Sequence, residues 1–126
     1  MKRIIKTSDA PAAIGPYSQA VEAGNTLYVS GQIPIVPSTG ALVEGGIEEQ
    51  TEQSLKNIGE ILKSAGYSFA DVVKTTCLLA DINDFAKFNA VYEKFFGTEG
   101  APARATFAVK SLPKNALVEV EVVAVR

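Results

Sequence analysis

The chain contains no histidine and no tryptophan, and it has one cysteine, Cys77, and one methionine. Each scarcity excludes something. Without histidine, the commonest general base near neutral pH is missing, and a zinc site would have to be built from carboxylates and a lone thiol. A single cysteine forms no internal disulfide; within the apolar run Val72-Val73-Lys74-Thr75-Thr76-Cys77-Leu78-Leu79 it reads as a buried structural thiol. Lys+Arg and Asp+Glu number 12 and 14, and no basic run occurs. Sequence-independent nucleic-acid binding needs clustered phosphate contacts, so no nucleic-acid partner is expected. Neither a Gly-rich phosphate cradle nor a dinucleotide fingerprint appears, which argues against phosphoryl transfer and redox chemistry. No stretch approaches the roughly 18 apolar residues of a membrane span. The basic start, Met1-Lys2-Arg3, is not followed by the apolar core of a signal peptide, so the expected location is cytoplasmic, with no membrane partner.

What remains is a globular profile, 47% hydrophobic and 21% charged over 126 residues, enough for one domain spanning 1–126 with its own core. Gln19–Glu22 and Thr26–Ser30 flank Ala23-Gly24-Asn25, whose Gly-Asn pair tolerates the positive φ of a tight turn. Residues 34–46 hold two prolines and three glycines and read as an excursion. A helix is predicted from about Glu48 to Ala65, with the stripe Thr51, Leu55, Ile58, Leu62, Ala65 and Gly66 as terminator. A strand follows at Val72–Ala80. Asp81 is then placed to cap a second helix, with Asp84 in its first turn, Gly97 past its end, and Phe85, Phe88, Tyr92, Phe95 and Phe96 as its buried face. Strands at about 104–109 and 117–126, joined through Ser111–Asn115, complete the chain as a hairpin. About six strands and two helices make an α+β sheet with both helices on one face. In Val118–Val125 one parity is Val, Val, Val, Ala and the other Glu, Glu, Val, Val. That second, half-apolar side has no helix left to cover it, and another subunit is the simplest cover.

The candidate chemistry centres on Arg104, in Pro102-Ala103-Arg104-Ala105-Thr106-Phe107. Arginine keeps its proton, and its planar fork matches a carboxylate with two parallel hydrogen bonds. Two readings stay open: a clamp for a small anionic ligand, or an Arg–Glu pair that closes a strand surface. Tyr17 follows the rigid Gly15-Pro16 bend; Ser30 and Gly31 end a strand; Asn89 lies close to the apolar stripe of the second helix; Glu119 is an acid inside a valine-rich strand. Arg104 and Glu119 are expected on neighbouring elements, where they could converge.

Taken together, these segments resemble the RidA (YjgF-type) family over essentially the whole chain. The matching stretches are Ile14-Gly15-Pro16-Tyr17-Ser18-Gln19-Ala20, Ser30-Gly31-Gln32-Ile33-Pro34, Asn57, Asp84-Phe85 with Asn89 and Tyr92, Pro102-Ala103-Arg104, and Leu112-Pro113 with Val118-Glu119-Val120-Glu121. The resemblance implies a chorismate-mutase-like mixed six-stranded sheet assembled as a homotrimer, with sites in the clefts between subunits. It also implies hydrolytic deamination of 2-imino acids, such as 2-iminobutanoate and 2-iminopropanoate, to 2-oxo acids and ammonia, without a cofactor or metal. In that reading Arg104 grips the substrate carboxylate, Glu119 handles the attacking water, Gly31 and Thr106 contribute backbone groups, and Tyr17, Ser30 and Asn89 line the pocket. Many relatives carry cysteine where this chain has Thr106, so only that residue's backbone role carries over. The alternatives are a trimeric sensor that binds 2-oxo or amino acids without turnover, and a chaperone-like or ribonuclease-like role.

Overall fold

The computed structural model describes residues 1–126. Six strands form one mixed sheet: β1 (Lys2–Ile5), β2 (Ala20–Ala23), β3 (Thr26–Gln32), β4 (Val72–Leu79), β5 (Ala103–Ala108) and β6 (Val118–Val125), in the order β1-β2-β3-β6-β4-β5. The helices are α1 (Ile47–Ala65) and α2 (Phe85–Phe96). The predicted hairpin between β2 and β3 forms, with Gly24 at φ 62° in its turn.

The predicted terminal hairpin does not form. Strand β5 pairs only with β4, in parallel, whereas β6 runs antiparallel between β3 and β4. The reason lies in the two parities of β6. A strand that is apolar on much of both sides is most stable in the middle of a sheet, where neighbours shield its backbone as well as its side chains. Helix α2 supplies the long crossover that parallel β4 and β5 require.

All five residues of the stripe predicted on α1 are buried, and Ile61 widens that face. Gly66, at φ 85°, ends the helix in the left-handed region; its N–H reaches Lys63 O and the Tyr67 N–H reaches Leu62 O. Asn57, buried in α1, donates to Ile35 O (2.8 Å), pinning the 34–46 excursion against the helix. Asp81 caps a short 3-10 turn, Ile82–Asp84, and not α2 itself; its carboxylate accepts the Asn83 N–H at 2.9 Å. On α2, Phe88 and Tyr92 are buried and Phe95 and Phe96 partly so, but Phe85, in the first turn, remains 37% exposed.

Register defines the two faces of the sheet. Val118, Val120, Val122 and Ala124 of β6, with Thr75, Cys77 and Leu79 of β4, point toward the helices and are buried. The opposite face carries Glu119, Glu121, Val123 and Val125, together with Leu78, Tyr28 (53% exposed) and Phe107 (47% exposed). No helix covers it.

Glu22 fastens the ends of the chain together. Its carboxylate accepts from Arg3 Nε (2.9 Å) and Tyr67 OH (2.7 Å), and Arg126 lies 3.9 Å away. The two arginines also donate to the last carbonyls around the end of α1, Arg3 to Ala65 O and Arg126 to Gly66 O. The hydrogen bonds from Arg3 and Tyr67 hold the Glu22 carboxyl below its ordinary value of 4.5. A lowered carboxyl contributes stability above its unfolded value and loses it as pH falls through the folded one. Glu22→Gln should therefore melt lower than the parent at pH 7, with the difference closing well below pH 4.5. A thermal melting series against pH measures this, and a constant difference across the series would contradict it.

Candidate functional site

Strand β5 lies at the edge of the sheet, and Arg104 stands opposite Thr75 on β4, so its side chain points to the helix face, over α2. One guanidinium nitrogen donates to Asn89 Oδ1 at 2.6 Å. The guanidinium carbon lies 4.7 Å from the centre of the Tyr92 ring and 5.5 Å from that of Phe85. Phe85, Asn89 and Tyr92 fall at i, i+4 and i+7, one stripe of α2. The Arg–Glu pairing considered from the sequence does not form: the ion pairs of this chain involve Arg3, Lys56 and Arg126. A neutral amide and two aromatic faces orient the guanidinium without cancelling its charge. Its remaining N–H donors are exposed for an anion.

Backbone polarity at this edge adds to the arrangement. Val109 donates its N–H to Leu79 O, and amides along a strand alternate sides. Ala105 and Phe107 thus turn theirs to β4, while Arg104 and Thr106 present N–H and C=O to the free edge. The Thr106 side chain lies beside Cys77 on the helix face, with a buried hydroxyl that has no hydrogen-bond partner. Burial pushes the Cys77 thiol up to about 11, so it stays neutral and unreactive at pH 7.

A second group of predicted residues forms around β3. Gly15, at φ 121°, and a hydrogen bond from Tyr17 N–H to Gly15 O (2.9 Å) turn the Tyr17 ring outward, 54% exposed. Ser30 Oγ donates to Ser18 O at 2.6 Å, so this hydroxyl fastens the Tyr17 loop and keeps only acceptor capacity for a ligand. Gly31 lies directly beneath the Glu119 side chain. A Cβ there would displace the Glu119 carboxylate from its place over the backbone. Burial, and then the like charge of Glu121, raise the Glu119 carboxyl above its ordinary 4.5, which makes it a better proton acceptor than a solvated carboxylate.

Tyr17 and Gly31 line a cleft of about 480 Å³ with Ile14, Ile33 and Lys114; a neighbouring cleft of about 530 Å³ also includes Tyr17. Arg104 lines neither.

The two groups do not meet within one chain. Arg104 and Glu119 do not lie on neighbouring strands, because β4 separates β5 from β6. Thr75 and Leu78, their partners on β4, are three positions apart. Two strand spacings and three residue rises separate their Cα atoms by about 10 Å in each direction. Odd spacing also puts their side chains on opposite faces of the sheet.

Sequence patterning missed several contributors. Gln19 is buried and spends its amide entirely on the 7–13 loop: Oε1 accepts from Thr7 N, and Nε2 donates to Thr7, Ala10 and Pro11 carbonyls. It holds Thr7 and Ala10, which line the larger cleft together with Tyr17. Tyr92 and Phe85 were expected in a buried face and instead also flank the guanidinium. Their i, i+7 spacing around Asn89 is the signal that was available. No three or more Cys, Asp or Glu side chains gather as a metal site requires, and no helix is long and apolar enough to cross a membrane.

Comparison with known proteins shows what this arrangement belongs to. A family described as Endoribonuclease L-PSP matches residues 7–126. The human protein named 2-iminobutanoate/2-iminopropanoate deaminase is 54% identical over 126 residues, covering 100% of this chain and 91% of that one. A crystal structure from Thermotoga maritima, of a protein provisionally named an endoribonuclease, superimposes with a TM-score of 0.97 at 51% identity and covers 100% of this chain and 98% of that one. E. coli TdcF, crystallised with bound serine, gives 0.92 at 43% identity, covering 98% of both chains. The chain belongs to this L-PSP family, the RidA (YjgF-type) group that its motifs resemble.

Proposed function

We propose that the protein is a cofactor-independent deaminase that hydrolyses small 2-imino acids to 2-oxo acids and ammonia. The observation that carries this reading is the uncompensated guanidinium of Arg104, oriented by Asn89 and two rings yet paired with no carboxylate. Such a group suits the carboxylate of a small acid. The human relative's name supplies the imine chemistry, and the serine in TdcF is an amino acid of the same size class.

In the proposed reaction Arg104 grips the carboxylate in bidentate fashion, and edge amides at Arg104 and Thr106, with the Gly31 backbone, fix the imine carbon. Water adds to that carbon while Glu119 takes one of its protons. Return of that proton to nitrogen gives the neutral carbinolamine; Glu119 then carries the hydroxyl proton to nitrogen as the C–N bond breaks, C=O forms and ammonia leaves. Imines already hydrolyse in water, so orientation plus positioned proton transfer, about 10²–10⁴-fold for the latter, suffices without a metal or cofactor. Tyr17 and Ser30 border the pocket. The proposed site takes Arg104, Asn89 and Thr106 from one subunit and Tyr17, Gly31 and Glu119 from its neighbour, in a homotrimer that covers the half-apolar open face.

Two other readings carry less. The ribonuclease activity in the family's description would require acid/base chemistry near neutral pH in a chain without histidine, and a cationic track that its charge does not supply. A pure sensor of oxo acids gains nothing from a second carboxylate beside its ligand, and Glu119 is set over the Gly31 backbone.

Arg104→Lys keeps the charge but loses the planar fork, so kcat/KM for imines generated in situ should fall by about 10² or more. Its melting temperature should stay unchanged. Turnover near the parent's would remove the clamp.

Glu119→Gln should lose most turnover while binding 2-oxobutanoate as tightly as the parent or slightly better, since one repulsive charge is gone. Calorimetry run beside the imine assay separates the two. The same variant should melt higher at pH 7. A carboxyl raised by burial costs stability once it is charged, and that cost vanishes below its unfolded value near 4.5. Intact hydrolysis in the glutamine variant would place water activation elsewhere.

Light scattering at low micromolar concentration should return about 40 kDa, three times the 13.3 kDa chain. A fully active monomer would refute both the trimer and the shared site.

A further inference from the structure

Behind the Tyr92 ring that faces Arg104 lies a buried hydrogen bond, to Thr75, that the proposed chemistry does not use. Tyr92 is only 5% exposed, although its ring faces Arg104 at 4.7 Å. Its hydroxyl shares a 2.8 Å hydrogen bond with Thr75 Oγ1, and Thr75 is fully buried on β4, directly opposite Arg104 in the register. Cys77 Sγ also lies within weak hydrogen-bonding reach of Thr75 Oγ1, at 3.8 Å. The Tyr92 ring packs against Phe96 at 4.5 Å and Phe88 at 5.6 Å. A tyrosine placed there only for volume would bury more cheaply as phenylalanine, because a buried hydroxyl costs free energy unless it is bonded. Here it is bonded to the strand residue that is the cross-strand neighbour of Arg104.

We propose that Tyr92, locked by Thr75, is a positioning residue for Arg104: its ring face, with Asn89 Oδ1 at 2.6 Å, sets the plane of the guanidinium before substrate arrives. The two constraints are complementary. Asn89 fixes one N–H direction, which leaves rotation about that bond, and the ring face limits that rotation. The Thr75 bond in turn fixes the ring between helix α2 and strand β4, so the clamp is referenced to the sheet that carries it. An exposed arginine otherwise samples many rotamers, and ordering it on binding would weaken affinity. The inference rests on the reading of Arg104 as the carboxylate clamp.

The test measures 2-oxobutanoate affinity by NMR titration and KM and kcat in the imine assay. Tyr92→Leu should weaken oxo-acid binding and raise KM by about tenfold, with kcat changing less than about threefold. Tyr92→Phe, which keeps the ring face, should stay within about threefold of the parent. In an Arg104→Ala background Tyr92→Leu should cause no further loss, because a positioning residue acts only through the group it positions. Thr75→Val preserves volume and removes the hydroxyl. It carries the test if the leucine variant fails to fold, with binding weakened by about threefold in the parent background and by nothing in Arg104→Ala. Affinity within twofold of the parent in Tyr92→Leu, or in Thr75→Val where the leucine variant does not fold, or equal losses with and without Arg104, would overturn the proposal. Arg104→Ala binding 2-oxobutanoate as tightly as the parent would instead overturn the clamp on which it stands.

Discussion

The pleat of the central sheet governs what this chain can do alone. Side chains at odd spacing across a register point to opposite faces, and no rotamer carries one through the sheet. Arg104 is locked to the helix face by its pairing with Thr75, and Glu119 to the open face by its pairing with Leu78. Both charges owe their character to that placement. The arginine lies against α2, where an amide and two rings orient it without neutralising it. The glutamate lies half-buried over Gly31, where burial and Glu121 raise its carboxyl. A reaction that needs both groups on one small substrate thus calls for a second copy of the chain, and the uncovered, half-apolar face of the sheet offers a surface for it.

The same strand arrangement makes the core. β6 sits between β3 and β4 and buries Val118, Val120, Val122 and Ala124 on the helix side, so the strand bearing Glu119 is paired on both edges and packed along its length. The edge strand β5 is its opposite, paired on one side only, which leaves the Arg104 and Thr106 amides unpaired at the edge of the sheet. The doubly paired strand beneath Glu119 and the half-paired strand that carries Arg104 come from one topology. The clamp of Glu22 with Arg3, Tyr67 and Arg126 closes the far side of the molecule, where β1, β2, the end of α1 and the last residue converge.

Much of this was legible in the sequence because local patterns decide it. The stripe from Thr51 to Ala65 buries as its spacing predicts, the Gly24 turn joins β2 and β3, and the two parities of β6 announce an uncovered face. Failures arose where partners are distant in sequence. Nothing local says that β6 inserts beside β4 and expels β5 to the edge, and this one non-local choice undid both the terminal hairpin and the expected meeting of Arg104 with Glu119. Asp81 shows a finer limit: a capping residue marks a helical start, and a 3-10 turn satisfies it before α2 begins. Gln19 reads as one polar residue in a loop motif, yet its four hydrogen bonds to the 7–13 segment depend on a chain path that only the folded state defines.

Subunit mixing tests the proposed shared site most directly. Arg104→Ala and Glu119→Gln chains, each inactive alone, are denatured together in equal amounts and refolded, and imine hydrolysis is assayed against the parent treated in the same way. If each site takes its arginine from one subunit and its glutamate from the next, random trimers restore about a quarter of the sites to full composition. The account predicts activity near that fraction. Mixed oligomers as inactive as either variant alone would contradict it, because both groups would then have to act from the same chain.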